Sequence, residues 1–297
     1  MADQATPLAA PQSVPRVQSK KESGARKQSG ARPDFATLGG LALAFGGIVG
    51  GLIMEGGKLK DISQITAAFI VFGGTCGAVK VSTPVGILLG AARRLVHVFV
   101  DAADPPDAVI DQLIVFASVA RRNGLVSLED DALKVQDPFL RKALNLAVDG
   151  TDLQEIRAMM QLDIEISENR AFAEARVFES AGGYSPTIGI IGAVMGLIQV
   201  MKNLADIGEV GHGIAVAFVA TVYGVGLANL LLLPIATKIK GRIENETALK
   251  ELKLEGVVSI VEGLNPKLIR SKLEAYLYAN RKRETVALKP DPRTPPR

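Results

Sequence analysis

Two long uncharged apolar runs near the middle of the chain constrain its fold most strongly. They cover about residues 186–201 and about residues 213–235, with a short polar turn between them. With its flanking residues, each run has the length of roughly 20 helical residues that crosses the hydrocarbon core of a bilayer. Gly189, Gly192 and Gly196 are spaced three or four apart, so they lie on one helical face where another backbone can approach closely. The pattern predicts a tightly packed membrane hairpin.

Two further apolar runs precede this hairpin, at Phe35–Met54 and at about residues 62–81. Neither contains an ionisable side chain except Lys80, whose stem is long enough to carry its charge to the membrane surface. The chain is 48% hydrophobic, and a soluble protein of this length would not concentrate its apolar residues in uncharged blocks. The sequence therefore predicts four transmembrane helices, two within residues 34–84 and two within residues 184–237.

The two ends of the chain have a different composition from the apolar runs. Residues 1–33 are rich in Pro, Gln, Ser, Lys and Arg and contain few large apolar residues, and residues 281–297 are rich in Pro and Arg. Such segments cannot bury enough apolar surface to offset the entropy of ordering. Both are predicted to be disordered tails, and the basic residues of the first indicate a cytoplasmic anchor.

Residues 85–183, between the second and third runs, are predicted to form a soluble helical insert because apolar residues recur there at helical spacing and no strand alternation occurs. Ser127 and Thr151 are predicted to begin helices, since a hydroxyl can accept a hydrogen bond from a free backbone N–H. Residues 238–280 predict a further helical segment after the fourth span. The fold class is an all-α membrane protein with four transmembrane helices and a large cytoplasmic helical insert between spans two and three.

The distribution of Lys and Arg predicts the orientation in the membrane. The loops at residues 55–61 and 202–212 are short and contain few basic residues, whereas both tails, the insert and the C-terminal segment hold nearly all of them. Because basic residues are retained on the cytoplasmic side, both termini and the insert are predicted to be cytoplasmic.

Residue types that support enzyme chemistry are sparse and scattered. The histidines, His97 and His212, are far apart in the chain and lack Cys or carboxylate neighbours at ligand spacing, and the lone Cys76 lies inside an apolar run. No phosphate-binding loop or nucleophile motif occurs, and the basic tail lacks the aromatic residues that nucleic-acid binding favours. The sequence predicts a protein that is not an enzyme and that has no cofactor, no metal and no nucleic-acid partner.

The four runs offer only neutral polar groups near the middle of the membrane. A pump or an ion channel needs a polar or ionisable group there to replace the water around the ion. If this chain conducts an ion, the titrating carboxylate therefore has to come from a different polypeptide. A membrane scaffold that conducts nothing is the alternative. The polar residues are Thr37, Thr66, Thr75, Thr187, Gln199, Thr221, Tyr223 and Asn229.

Three segments resemble the MotA/PomA family of flagellar motor stator subunits. They are SPTIGIIGAVMG from Ser185, GIAVAFVATVYG from Gly213 with the later Leu-Pro234, and RRNGLVSLEDD from Arg121. The four spans and the long insert are also similar to that family, and the resemblance covers about residues 35–275. It implies a homopentamer in the bacterial inner membrane around a dimer of a single-span MotB-type subunit. That partner supplies the membrane aspartate and a peptidoglycan-binding domain, and ion flow turns a rotor protein of the FliG type.

The resemblance also assigns roles to six positions. Pro186 and Pro234 match the family's two functional prolines at the ends of spans three and four, although a proline near a helix end is also common without such a role. Thr221 matches a pore-facing threonine whose hydroxyl could instead bond its own helix. Ala193 occupies a position where sodium-driven members carry a threonine, so protons are favoured and sodium stays open.

Arg121 and Glu129 match the charged pair that contacts the rotor protein in this family. Exposed opposite charges on a helical insert can steer a partner electrostatically. A solvated helix end is the alternative interpretation of both residues. The rival family is the ExbB/TolQ type, which energises outer-membrane processes and generally has three spans, so four apolar runs disfavour it.

Overall fold

The computed structural model describes residues 32–33, 35–98, 100–101 and 105–287. The predicted N-terminal tail lies outside the described residues except for its last positions, and the C-terminal tail does so from residue 288. Within the described ranges almost every ordered residue is helical, and four helical stretches are long and apolar enough to cross a membrane. The predicted all-α fold with four spans is confirmed.

The first two spans are helices of different regularity. Helix α1 covers Phe35–Met54 and is uninterrupted, and a short 3₁₀ turn at Leu59–Ile62 follows it. The second span begins with α2 (Ile65–Ala68), widens into one π-helical segment at Phe69–Gly73 and ends with α3 (Gly74–Ser82). Its Ala67 and Val71 pack against the fourth span, so this helix belongs to the bundle that the hairpin organises.

The insert between spans two and three is built from short helices before it joins the membrane. Gly124, with φ +86°, ends the second of these helices in a conformation that favours glycine. A 3₁₀ turn at Leu125–Leu128 then leads into the third. The four helices are α4 (Val85–Val98), α5 (Pro106–Asn123), α6 (Glu129–Lys134) and α7 (Pro138–Val148).

Two very long helical stretches connect the insert with the membrane. Helix α8 covers Leu153–Lys202, and with a rise of 1.5 Å per residue its 50 residues extend about 75 Å. Helix α9 (Ile207–Gly226) passes through a π-helical segment at Leu227–Leu232 into α10 (Leu233–Val261) without a break. The predicted boundaries at residues 183/184 and 237/238 therefore fall inside continuous helices.

The helix starts in the insert differ from two sequence predictions. Asp152, not Thr151, is the N-cap of α8, and its carboxylate accepts a hydrogen bond from the Gln154 N–H. Ser127 caps no helix, because its hydroxyl donates to the Gly124 carbonyl at 2.6 Å. Asp137 is the N-cap of α7 and accepts from two backbone N–H groups.

The hydrophobic core of the domain outside the membrane joins sequence segments from both sides of the hairpin. Its largest fully buried members include Leu113 of α5, Leu144 of α7 and Ile156 of α8. Leu252 of α10 lies in the same cluster. Helix α11 (Pro266–Ala287) adds Ile269 and Leu273 to it. The C-terminal segment is therefore part of the same folded unit as the insert, and its last helix continues seven residues beyond the predicted end at residue 280.

One short strand pair departs from the predicted absence of strands. Strand β1 (Arg32–Pro33) pairs antiparallel with β2 (Val100–Asp101), with Arg32 opposite Asp101 and Pro33 opposite Val100. The pair joins the residues immediately before the first span to the connection between α4 and α5. The N-terminal end of span one and the insert therefore lie on the same side of the membrane bundle.

Candidate functional site

The contact between α8 and α9 depends on small residues at every turn. A Cβ atom on Gly189 would lie 2.9 Å from the Ala220 carbonyl oxygen, and one on Gly196 would lie 2.7 Å from the Gly213 carbonyl oxygen. A Cβ on Gly224 would lie 2.7 Å from the Ser185 carbonyl oxygen. These distances are too short for any side chain, so the two backbones touch along the hairpin. The predicted glycine face of span three is confirmed.

Hydroxyl groups inside the hairpin have different partners. The Ser185 hydroxyl is buried and donates to the Gly224 carbonyl of the facing helix at 2.9 Å. The half-buried Thr221 hydroxyl donates to the Ala217 carbonyl of its own helix at 3.2 Å. A threonine hydroxyl that donates in this way keeps acceptor lone pairs, so Thr221 can still accept a hydrogen bond from water or contact a cation.

Ala193 and Thr221 lie at the same level of the hairpin. Each directly follows one member of the contacting pair Gly192 and Ala220, and each is half-buried. The methyl group of Ala193 offers no oxygen. Of these two residues, Thr221 is therefore the one that supplies a side-chain oxygen at this level. Two of the six positions that the resemblance singled out are therefore next in the chain to residues that contact each other.

Both prolines, which the resemblance placed at the ends of spans three and four, lie within helices that continue beyond those spans. Pro186 is inside α8, where it removes the N–H that would bond to the Gly182 carbonyl. Pro234 follows the π-helical segment at the start of α10 and is exposed. A missing hydrogen bond and a widened helical turn are recognised causes of helix bending. Each of the two long helical stretches therefore has one place where it can bend, at Pro186 in α8 and at the π-helical segment before Pro234.

A tyrosine joins the second and fourth spans near these groups. The Tyr223 hydroxyl donates to the Ile62 carbonyl at 2.6 Å and accepts from the Gln64 N–H at 3.4 Å. The Thr75 hydroxyl, which is buried on the same face of span two as Ala67 and Val71, has no hydrogen-bond partner among the described residues. Tyr223 therefore forms hydrogen bonds with backbone groups just before span two, whereas the Thr75 hydroxyl within the span is unpaired among the described residues.

Charged side chains are confined to the ends of the membrane stretches. The helix that contains the fourth span begins at Ile207, before the predicted apolar run, so Glu209 and His212 lie in the first turns of α9 instead of in the turn before it. Across the described residues, no group of three or more His, Cys, Asp or Glu side chains is arranged to hold a metal ion. No Asp or Glu occurs between residues 210 and 236 or between residues 180 and 201.

Arg121 and Glu129 lie at the two ends of one short connection in the insert. Arg121 is in the last turn of α5 and Glu129 is the first residue of α6, with the 3₁₀ turn between them. The fully buried Leu128 fixes this turn on the core, and both charged side chains are exposed. Arg122 is exposed beside Arg121. The fold thus exposes a basic and an acidic group on either side of this turn, and we refer to the turn and its two flanking residues as the exposed corner of the domain.

A cluster of charges where the helical domain meets the membrane bundle was not predicted from the sequence. Arg94 of α4 pairs with Glu174 of α8 at 2.5 Å and contacts Glu246 of α10 at 3.5 Å. Glu174 is buried, and Arg170, one turn earlier, lies 3.7 Å from it. Arg170 and Glu174 are four residues apart, the spacing of an ion pair on one helical face. This spacing is the one feature of the local sequence that could have predicted part of the cluster.

Comparisons with known proteins match this architecture over most of the chain. The model of the MotA/TolQ/ExbB proton channel family matches residues 131–252. Motility protein A of Bacillus subtilis is 36% identical over 250 residues, which are 83% of this chain and 92% of that protein. Chemotaxis protein PomA of Vibrio alginolyticus is 33% identical over 244 residues, 82% of this chain and 95% of that protein.

The chain belongs to the MotA/PomA family.

A solved structure agrees with this family assignment. In the structure of C. jejuni MotAB, one chain superposes with a TM-score of 0.78 and 31% sequence identity, over 88% of this chain and 99% of that chain. The MotA/PomA family belongs to the wider MotA/TolQ/ExbB family of proton channels, so this chain is not an enzyme. The match spans nearly the whole length of the MotA/PomA relatives, including the first two spans, which disfavours the ExbB/TolQ alternative.

Proposed function

We propose that this chain is the ion-channel subunit of a flagellar motor stator, which couples ion flow to torque on the rotor. The observation that carries this conclusion is the match of the whole four-span architecture to a chain of a MotAB complex, over 99% of that chain. A non-conducting scaffold would share the glycine contacts of the hairpin, so the identity of the partner subunit separates the two functions.

A MotB-type single-span subunit is the partner that this function requires. The apolar stretches of spans three and four contain no carboxylate, so an ion that crosses the membrane along this hairpin needs a titrating group from another chain. Large apolar side chains on the surface of the hairpin, including Ile191, Met195 and Phe218, favour assembly with lipid, a partner or further copies. We propose a homopentamer around this partner in the inner membrane.

The conducted ion is proposed to be a proton, with Pro186, Ala193, Thr221 and Pro234 lining or bending the pathway. A sodium ion that loses its water needs several oxygen ligands, and the Ala193–Thr221 level offers one side-chain oxygen from these two positions. A proton can instead move along water and a partner carboxylate. Proline and the π-helical turn give the two long helices points where they can bend as the carboxylate changes its charge.

Arg121 and Glu129 are proposed to contact a FliG-type rotor protein. The support is their shared exposed corner on the domain, away from the buried core, where opposite charges can steer a partner that has the complementary pattern. This corner belongs to the domain that we place in the cytoplasm together with both termini, because Lys and Arg are concentrated on that side.

The partner identity is the most direct test. The complex is purified from native membranes, and the small subunit that accompanies this chain is identified by mass spectrometry. We expect a single-span protein with a membrane aspartate and a peptidoglycan-binding domain. A partner with only a short periplasmic domain of the ExbD/TolR kind would move the function to outer-membrane energisation and withdraw the rotor contact. Recovery of this chain with no small subunit would favour the scaffold.

A further inference from the structure

One face of helix α4 is left uncovered by the described part of this chain. Val85, Leu89 and Val96 lie on this face, and their side chains are 62%, 61% and 65% exposed. Ala92 lies on the same face and is also exposed. Residues three, four or seven positions apart point the same way from a helix, so these four side chains form one continuous stripe. We refer to them as the apolar stripe of α4.

The opposite face of α4 packs against the two long helices. Ala91 is buried in one cluster with Ala175 of α8 and Ile239 of α10. Arg94, on the same side of α4, pairs with Glu174 of α8 at 2.5 Å. These contacts fix the rotation of α4 about its own axis. The apolar stripe therefore points away from α8 and α10.

Both ends of α4 are attached to membrane-spanning helices on the same side of the bilayer. Helix α4 follows span two after a bend at Thr83, whose backbone is extended. Just beyond the other end of α4, strand β2 pairs with β1, which directly precedes span one. With a rise of 1.5 Å per residue, the 14 residues of α4 extend about 21 Å between these attachments. A helix that is held at both ends where spans leave the bilayer lies along the membrane surface.

Lipid is the surface that these attachments place next to the apolar stripe. Val81, in the last turn of span two, is 91% exposed and precedes Val85 by four residues, so exposed apolar surface continues from the span onto α4. At the other end, the strand pair leads into span one, whose window from Thr37 to Met54 has 0% of its residues buried within this chain. A stripe of large apolar side chains marks a contact with a membrane or a protein. Because both ends join spans that expose apolar surface, the membrane is the favoured contact.

We propose that α4 is an interfacial helix whose apolar stripe is buried at the boundary between the phospholipid headgroups and the acyl chains. The sequence predicted a soluble insert from residue 85, whereas on this proposal the first helix of the insert belongs to the membrane surface. Since the Arg94–Glu174 pair joins α4 to α8, the stripe fixes the depth at which α8 leaves the bilayer. The lipid contact does not depend on ion flow, so this inference can fail while the stator function stands, and the reverse.

A fluorescent label on the apolar stripe tests the proposal in the full-length complex. In a Cys76→Ser background without other cysteines, Leu89→Cys carries the dye, and the complex is reconstituted in phosphatidylcholine vesicles. One quencher is a phosphatidylcholine with a nitroxide near the top of its acyl chain, and the other is iodide in the water on both sides. We expect the nitroxide lipid to remove about half of the emission or more, and iodide to quench roughly fivefold less than at a position in water.

Two reference positions make the result decisive. Leu133→Cys on α6 is the matched control in water, because Leu133 is 68% exposed but lies in the domain outside the membrane, and its dye should respond only to iodide. Phe69→Cys, at an exposed position of span two, is the lipid reference. Dyes at Val85→Cys and Val96→Cys should respond as the dye at Leu89 does. Quenching of the Leu89 dye by iodide alone would show that the stripe faces water, and quenching by neither agent would show that a second copy or a partner covers it. Either result would overturn the proposal.

Discussion

The guanidinium group of Arg94 lies 2.5 Å from the carboxylate of Glu174, two residues that are 80 positions apart in the chain. The Glu174 side chain is 9% exposed, and it packs so closely on α4 that any side chain at Gly90 would collide with it. The contact fixes α4, which follows span two, on the helix that becomes span three. The second and third spans are thus joined outside the apolar core of the membrane.

Removal of Arg94 should therefore destabilise the protein. In Arg94→Gln the buried Glu174 carboxylate keeps the longer contact with Arg170. We expect a loss of about 2 kcal/mol in the free energy of unfolding, less than the roughly 3–5 kcal/mol for a fully buried ion pair, because Arg94 is itself half-buried. Thermal unfolding of the purified complex measures the effect. Lys134→Gln is the control, because it breaks the exposed Lys134–Asp131 pair and should change stability by less than about 0.5 kcal/mol. Equal effects of both substitutions would contradict the argument.

A close backbone approach in the hairpin, at Gly189, predicts a severe effect of one added methyl group. Gly189→Ala places a Cβ 2.9 Å from the Ala220 carbonyl oxygen and 3.1 Å from the Gly224 Cα, so the helices must separate. We expect a loss of about 1–3 kcal/mol and a lower yield of folded protein from membranes. Gly183→Ala is the matched control in the same helix, since no atom of another helix among the described residues lies within 4 Å of the new Cβ.

The buried hydroxyls of Thr75 and Ser185 should respond in opposite directions to their removal. Ser185→Ala loses the hydrogen bond to the Gly224 carbonyl, which should lower the free energy of unfolding by about 1 kcal/mol. Thr75→Val replaces a buried hydroxyl that is unpaired among the described residues by a methyl group of similar size, and it should raise stability by about 1 kcal/mol. A Thr75→Val variant that unfolds at lower temperature would show that this hydroxyl binds a group from outside the chain.

The pH dependence of stability should contain a contribution from Asp137. Burial alone would raise the pKa of its carboxyl, but the hydrogen bond from Lys253 and those from the backbone N–H groups of Leu140 and Phe139 lower the pKa below its ordinary value of 3.8. A carboxyl with a lowered pKa in the folded state stabilises the fold at higher pH, and this contribution is lost as the pH falls through that lowered pKa.

Asp137→Asn tests this contribution because asparagine keeps the N-cap acceptor while removing the charge. Above pH 4.5 or so, the variant should be less stable than the parent chain, since it loses the charged contact to the buried Lys253. Below about pH 3 the difference between the two proteins should shrink. Unfolding measured across this pH range decides the matter, and a constant difference at every pH would exclude the proposed titration of Asp137.

Reversal of the exposed charge at Glu129 should separate motor function from folding. Glu129→Lys alters no buried contact, so we expect normal amounts of the complex in the membrane together with loss of motility. Swimming of cells that express the variant and its abundance in membranes are the two measurements. Asp130→Lys, on the adjacent exposed position, is the control for nonspecific charge effects and should be milder. Normal swimming of the Glu129 variant would remove this residue from the rotor contact.

The membrane hairpin could be predicted because its signal is local. Uncharged runs of sufficient length and glycines at helical spacing determine spans three and four, and the structure confirms the close contact at Gly189 and Gly196. The continuity of α8 could not be predicted in the same way. Its charged half and its apolar half differ in composition, but backbone hydrogen bonds do not depend on side-chain polarity, so the change at residue 183 ends no helix.

Contacts between distant segments account for most of what the sequence did not predict. Arg94 and Glu174 meet only because α4 folds back on α8. The two-residue strand pair needs no alternation of apolar residues and leaves no pattern. Thr151 and Asp152 are both good cap residues, and backbone geometry selects the second. The roles proposed for Pro186 and Thr221 came from family resemblance, because a single proline or threonine in an apolar run has no distinctive pattern of its own.

The continuity of α8 also affects how the protein is made. Starting a helix is the costly step, because several residues must be fixed before the first hydrogen bond forms, whereas each further residue adds one bond. The turn capped by Asp152 can provide that start in water, and the same helix can then grow into the segment that enters the bilayer. Synthesis of the domain and insertion of span three are then steps of one process. A protein cut between residues 183 and 184 would have to start span three a second time, without the cap that begins it here.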